Sequence, residues 1–144
     1  LFKAFRQFAG QYNFAVSKKE RLGMNIIALD DIHHTLLIVN ENKTGYEHKC
    51  LAIDTILECK LRKTHSKTLI GCSHRNYGQL YLQSIILDLN CKNQPGLSIP
   101  FYEATVNNKY EISELEQKAK QWETMLLQLM HSRLPGTVNT AKPI

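Results

Sequence analysis

The spacing of apolar residues changes period twice along this chain. In the first dozen residues, LFKAFRQFAGQY, Phe5, Phe8, Ala9 and Tyr12 recur at helical steps, with Lys3, Arg6, Gln7 and Gln11 between them. That spacing predicts a short helix with one apolar face, either packed on the domain or continuing from a juxtamembrane anchor. Gly10 and the polar SKKERLG that follows NFAV break the pattern.

From Gly23 the period falls to two. GMNIIALD and TLLIVN, parted by the polar DIHH, predict a hairpin. NENKTGY reads as a turn and YEHKCLA as a third, half-polar strand. TILECKLRK alternates, with Leu57, Cys59 and Leu61 expected on one face and Glu58, Lys60 and Arg62 on the other. THSKTLIGCSHRNYGQ is polar, basic and glycine-punctuated, the composition of a long loop. LYLQSIILDLNCK resumes the alternation through Ile85, Leu87, Leu89 and Cys91. After the turn NQPG, LSIPFYE supplies a last strand with Leu97, Ile99 and Phe101 inward. Pro100 has no N–H to donate, so this strand belongs at an edge or a bulge.

The period then returns to 3.6. Ile112, Leu115, Ala119, Trp122, Leu126 and Leu129 form a single apolar stripe. SELE, Ser113 to Glu116, has the spacing of a capping box, and Pro135-Gly136 is the expected stop. These elements predict an α+β fold, mainly β. A short N-terminal helix precedes six or seven antiparallel strands in meander order, and a long amphipathic helix closes the chain. A helix with one apolar stripe needs an apolar surface to cover, and a bent sandwich or barrel with an open end offers one. The implied division is an N-terminal helix at 1–12, a domain at 13–134 and a tail at 135–144.

Composition narrows the function classes. A chain of 144 residues, 43% apolar, is one domain able to bury a core without staples. No apolar run approaches the roughly 20 residues a membrane span requires, and the residues from Leu1 onward do not have the pattern expected of a signal peptide. The chain begins at Leu1, so a preceding segment is expected. Cys50, Cys59, Cys72 and Cys91 include no CxxC pair, which favours thiols in a reducing compartment, with Cys59 and Cys91 in the core. Net charge is +5, and the excess is local: Lys60, Arg62, Lys63, Lys67 and Arg75 fall between residues 60 and 75 with no acid among them. Those five form a candidate site for an anionic surface or nucleic acid.

Two further clusters invite a chemical reading. Asp30, Asp31, His33 and His34 are metal-ligating types, but adjacent strand residues point to opposite faces, which favours a polar hairpin corner. His48 with Cys50 and Cys72 with His74 are mirrored HxC and CxH pairs that together make a Cys2His2 set for zinc. No G-x-S-x-G, P-loop, G-x-G-x-x-G or H-E-x-x-H occurs, so no catalytic residue is nominated and no cofactor is expected.

The order of elements, with Trp122 in KQWETML on a terminal helix, resembles the pleckstrin-homology-like fold. SKKERLGMNIIALDDIHHTLLIVN followed by LAIDTILECKL is also similar to small uncharacterised bacterial domains that often follow a membrane helix. The resemblance spans residues 11 to 130. It implies a bent β-sandwich with one mouth plugged by the last helix and Trp122 in the core. The family brings no activity with it. The start at Leu1, the apolar first helix and the absence of catalytic motifs lead instead to the expectation of a non-enzymatic module, tethered on the cytoplasmic side of a membrane, that binds a protein or peptide at an exposed sheet edge or in the groove beside the C-terminal helix. The chain departs from lipid-binding members in its first hairpin loop, where DDIHH places two acids instead of basic residues.

Overall fold

The computed structural model describes residues 1–66 and 81–141, with side chains placed as far as His131. Among these residues the fold is α+β and mainly β, with seven antiparallel strands in two sheets, a short first helix and a long last one. The chain divides into two compact units. One holds Leu1–Ile56 with the end of the last helix from Gln128 onward, and the other holds Leu57–Leu127.

The first unit opens with helix α1 (Phe2–Gln11). Gly10 lies within this helix, and Asn13 ends it. With φ of 52°, Asn13 donates its N–H to the Gly10 carbonyl while Phe14 N–H reaches back to Ala9, the paired bonds of a Schellman stop. A meander of four strands follows: β1 (Lys18–Leu22), β2 (Asn25–Asp30), β3 (Thr35–Asn42) and β4 (Gly45–Ala52).

β1 is the strand hidden inside the polar SKKERLG segment. Its alternation is written in charges, with Lys19 and Arg21 on one face and Lys18, Glu20 and Leu22 on the other. A strand at the end of a sheet can carry such residues because long charged side chains reach water and discourage edge-to-edge pairing. It joins β2 through the two-residue turn Gly23–Met24, whose Gly23 has φ of 64° and supplies the conformation a tight hairpin demands.

β2 and β3 read as unbroken apolar runs because both of their faces are covered. On one face Ile26, Ala28, Leu37 and Val39 pack with Phe5 and Ala9 of α1, and Leu1, Phe8, Phe14 and Cys50 close around them. The opposite row, Ile27, Leu29, Leu36 and Leu51, is buried as well. Of the two sequence readings for the first helix, the packed one is seen.

The second unit holds a three-stranded meander of β5 (Ile56–Ser66), β6 (Tyr81–Cys91) and β7 (Leu97–Glu103), followed by the part of α2 (Ile112–Ala141) that runs to Leu127. Pro100 lies on an end strand and beside a bulge: Ile85 faces Tyr102 and Ile86 faces Pro100, so Phe101 is the extra residue. Ile85, Leu87, Leu89, Ile99 and Phe101 are buried as their alternation requires, whereas Cys91 and Leu97, expected inside with them, are only half-buried at the strand ends beside the NQPG turn.

Three local expectations are corrected. Leu57 is 64% exposed, because the 3-10 turn Ile53–Thr55 delivers Ile56 inward and shifts the alternation of β5 by one before Cys59. The cap of α2 is built by Asn108 and Glu111 instead of Ser113 and Glu116. Tyr110 N–H donates to Asn108 Oδ1 at 2.9 Å, and Asn108 N–H donates to Glu111 Oε1 at 2.8 Å. The box thus caps the 3-10 turn Lys109–Glu111 that leads into α2, and Glu116 is released for ion pairs. Finally, α2 continues past Pro135-Gly136 to Ala141, since a proline removes one backbone donor but leaves the remaining bonds of a long helix in place. Its stripe is buried at Leu115, Ala119, Trp122 and Leu126, with Trp122 wholly inside, while Met130 takes the buried place expected of Leu129, and Ile112 and Leu129 are half-buried.

Candidate functional site

The polar corner between β2 and β3 is a structural clasp. The Asp30 carboxylate is wholly buried and accepts four hydrogen bonds. Oδ1 takes the N–H groups of Ile32 (3.1 Å) and His33 (2.9 Å), and Oδ2 takes Ala15 N–H (2.8 Å) and His33 Nδ1 (2.7 Å). Burial alone would raise its pKa, yet the Ala15 N–H, the His33 ring and the His33 N–H together bring it down to about 2. An ionised carboxylate only accepts, so the His33 proton must sit on Nδ1. Beside it, Asp31 N–H donates to Ser17 Oγ while Ser17 O–H donates to Asp31 Oδ1 at 2.6 Å. The two acids therefore fasten the Ala15–Ser17 connector to the hairpin. All four acceptor positions of Asp30 are occupied, which leaves it nothing to offer a metal. His34 has φ of 53°, and its carbonyl accepts from Ile53 N–H at 2.8 Å.

His48 and Cys50 stand on one face of β4, opposite Val39 and Leu37. They lie on the side of the sheet that α1 covers. The His48 ring stacks on Phe8 with centroids 4.0 Å apart and planes 24° from parallel, and its Nε2 is 2.8 Å from the Tyr12 hydroxyl. Burial, and then the nearby Asp30 charge, push the Cys50 thiol up, so it is a poor thiolate donor. Cys72 and His74 lie outside the described residues. Among the described residues no three His, Cys, Asp or Glu side chains converge as a metal site would require.

Along the outer edge of β4, no described strand pairs with Gly45–Ala52. Tyr46, Glu47, His48 and Lys49 are all exposed there. Tyr46 and Tyr12 are each 45% accessible, so the edge is flanked by an aromatic wall of Tyr46, His48, Phe8 and Tyr12.

The basic segment is only partly in view, with Lys67 and Arg75 outside the described residues. Lys60 and Arg62 project from the polar face of β5. Arg62 grips Asp88 of β6 through two bonds (Nε to Oδ2 2.6 Å, NH2 to Oδ1 3.2 Å), and Ser98 Oγ donates to the same carboxylate. The Arg62 hydrogen bond lowers the Asp88 pKa against the opposing effect of burial. Lys63 pairs with Glu116 of α2, which lowers that carboxyl too. Arg62 and Lys63 thus spend their charge on neighbouring acids. Lys60 lines a shallow cleft of about 200 Å³ with Glu58, Asp88, Asn90, Gly96 and Ser98. On the free side of β5, Leu61 N–H donates to Glu123 Oε2 of α2 at 3.0 Å, so the helix satisfies that edge.

The sequence reading missed two groupings. Phe8, Tyr12 and His48 meet because positions 8 and 12 are one helical turn apart and β4 presents its histidine beneath them. Lys19 and Arg21 gather over Phe2 because β1 is a strand. The first had a signal in the spacing of α1, and the second had one only in the charge alternation of KKERL. Comparison of the chain with protein-family models, with curated proteins and with solved structures returns no match.

Proposed function

We propose that this chain is a non-enzymatic binding module that takes an extended peptide segment along the outer edge of β4. The observation that carries this reading is the eight-residue end strand of the four-stranded sheet, which has no strand partner on its outer side among the described residues and is bordered by Tyr46, His48, Phe8 and Tyr12. Main-chain groups of an end strand can pair with a peptide added as a fifth strand, and alternate peptide side chains then meet the aromatic wall. The four-then-three division of strands before a C-terminal helix supports the pleckstrin-homology-like expectation, a fold that hosts such modules. Three acids among the described residues are held in structural contacts: Asp30 in its clasp, Asp88 with Arg62 and Glu116 with Lys63.

The test is selection of displayed peptides on the intact protein, with the bound segment mapped by backbone amide shifts. Recovered peptides should perturb Gly45–Ala52 and Tyr12, and His48→Ala should weaken them at least tenfold, in the range of a lost aromatic anchor. Peptides that perturb other strands and leave β4 unmoved would refute the assignment.

A further inference from the structure

Residues 1–21 carry Lys3, Arg6, Lys18, Lys19 and Arg21 against a single acid, Glu20. The fold sets two of these cations, Lys19 and Arg21, against the Phe2 ring, with Lys3 and Arg6 on the same short helix as that ring. Lys19 Nζ lies 5.1 Å from the Phe2 ring centroid and 5.4 Å from that of Phe5, and Arg21 Cζ lies 5.4 Å from Phe2. Arg6 is one helical turn from Phe2 and shares its face, and Lys3 is one turn before Arg6. All four cations are exposed, and Phe2 is 38% accessible. Strand alternation sends Glu20 to the opposite face of β1. Among the described residues none of these four has a carboxylate within ion-pair distance, unlike Arg62 and Lys63.

We infer that this α1–β1 surface docks on an anionic lipid bilayer. Three cation–π contacts within one patch hold the cations close to an apolar ring that is partly open to solvent. An anionic headgroup layer complements the charge, and the accessible part of Phe2 suits the boundary between headgroups and acyl chains. The same contacts disfavour single-stranded nucleic acid, which would need ring faces free for base stacking. Lys19 and Arg21 already occupy the approach to the Phe2 ring. The inference is independent of the β4 edge, since β1 and β4 form opposite ends of the sheet.

The experiment is cosedimentation of the intact chain with two vesicle types. One is phosphatidylcholine alone, and the other is phosphatidylcholine with phosphatidylserine in equal parts. Binding is expected only to the anionic vesicles and should fall as salt rises. Lys3→Gln with Arg6→Gln, and separately Lys19→Gln with Arg21→Gln, should each lower the partition coefficient by about fivefold per charge removed. Lys60→Gln should leave it unchanged. The Lys3 and Arg6 pair has no packing role in the sheet, so it keeps the test decisive if the β1 variant unfolds by circular dichroism. Equal binding to neutral vesicles, binding to neither type, or a Lys60→Gln loss as large as the paired variants would overturn the inference. So would retention on duplex DNA, abolished by the same variants, without vesicle binding.

Discussion

Asp30→Asn is the substitution that most directly tests the account of the hairpin clasp. In the native protein the carboxyl pKa stands at about 2 against an ordinary value of 3.8. Each pKa unit corresponds to about 1.4 kcal/mol, so ionised Asp30 contributes on the order of 2 kcal/mol at neutral pH. Because the folded value is the lower one, this stability is fully present above the unfolded value. It declines as pH falls from about 4 through about 2, as the native carboxylate takes up its proton. Asparagine is nearly isosteric but keeps one acceptor oxygen. Its amide would then face either the Ala15 and His33 ring donors or the Ile32 and His33 backbone donors, leaving buried donors unpaired. The assay is urea unfolding of wild type and variant, side by side, from neutral pH down to about pH 1.5, a range that brackets both pKa values. The difference between the two proteins cancels the other carboxylates. It should be about 2 to 3 kcal/mol at neutral pH and should narrow as the solution is acidified. A difference that is small at neutral pH, or that stays constant down to the acid limit, would refute the clasp as described.

Two further predictions concern buried groups of the second unit. Trp122 is the sole tryptophan and is wholly buried, so its emission should be shielded from acrylamide until the protein unfolds; Trp122→Ala should cost about 3 to 5 kcal/mol by thermal or urea denaturation. An exposed emission spectrum in the native state would contradict the packing of α2. Burial, and then the charge of Glu123, push the Cys59 thiol up to about 12, so native protein at mildly alkaline pH should resist iodoacetamide at Cys59 and react there only after denaturation. Mass spectrometry of tryptic peptides separates it from the other cysteines, and rapid native labelling at Cys59 would count against its buried position.

The elements legible in advance were those whose burial is one-sided and regular. The stripe of α2, the alternation of β6 and β7 and the bulge at Pro100 each follow from a period or from a missing N–H. The elements misread were those whose local pattern was ambiguous. KKERL has no apolar alternation, so only its pairing with Asn25–Leu29 reveals a strand. Asn108 and Glu111 have capping-box spacing as good as that of Ser113 and Glu116. The choice between the boxes depends on where the chain leaves β7, and no short window of sequence contains that information. DDIHH reads as a corner from its composition, but Ala15, whose N–H binds Asp30, lies fifteen residues earlier on the far side of β1, beyond any local motif.

Composition and periodicity alone determined the fold class, the strand order as a meander and the inward tryptophan, because burial on one face imprints a period on the chain. Tertiary structure alone decided which charges remain unspent. The run at residues 60–75 looked like the basic surface, yet Arg62 and Lys63 find Asp88 and Glu116 across strand and helix. Lys19 and Arg21 instead lie against Phe2, and among the described residues neither has a carboxylate within ion-pair distance. Electrostatic character depends on distances between residues far apart in the chain, and only folding sets those distances.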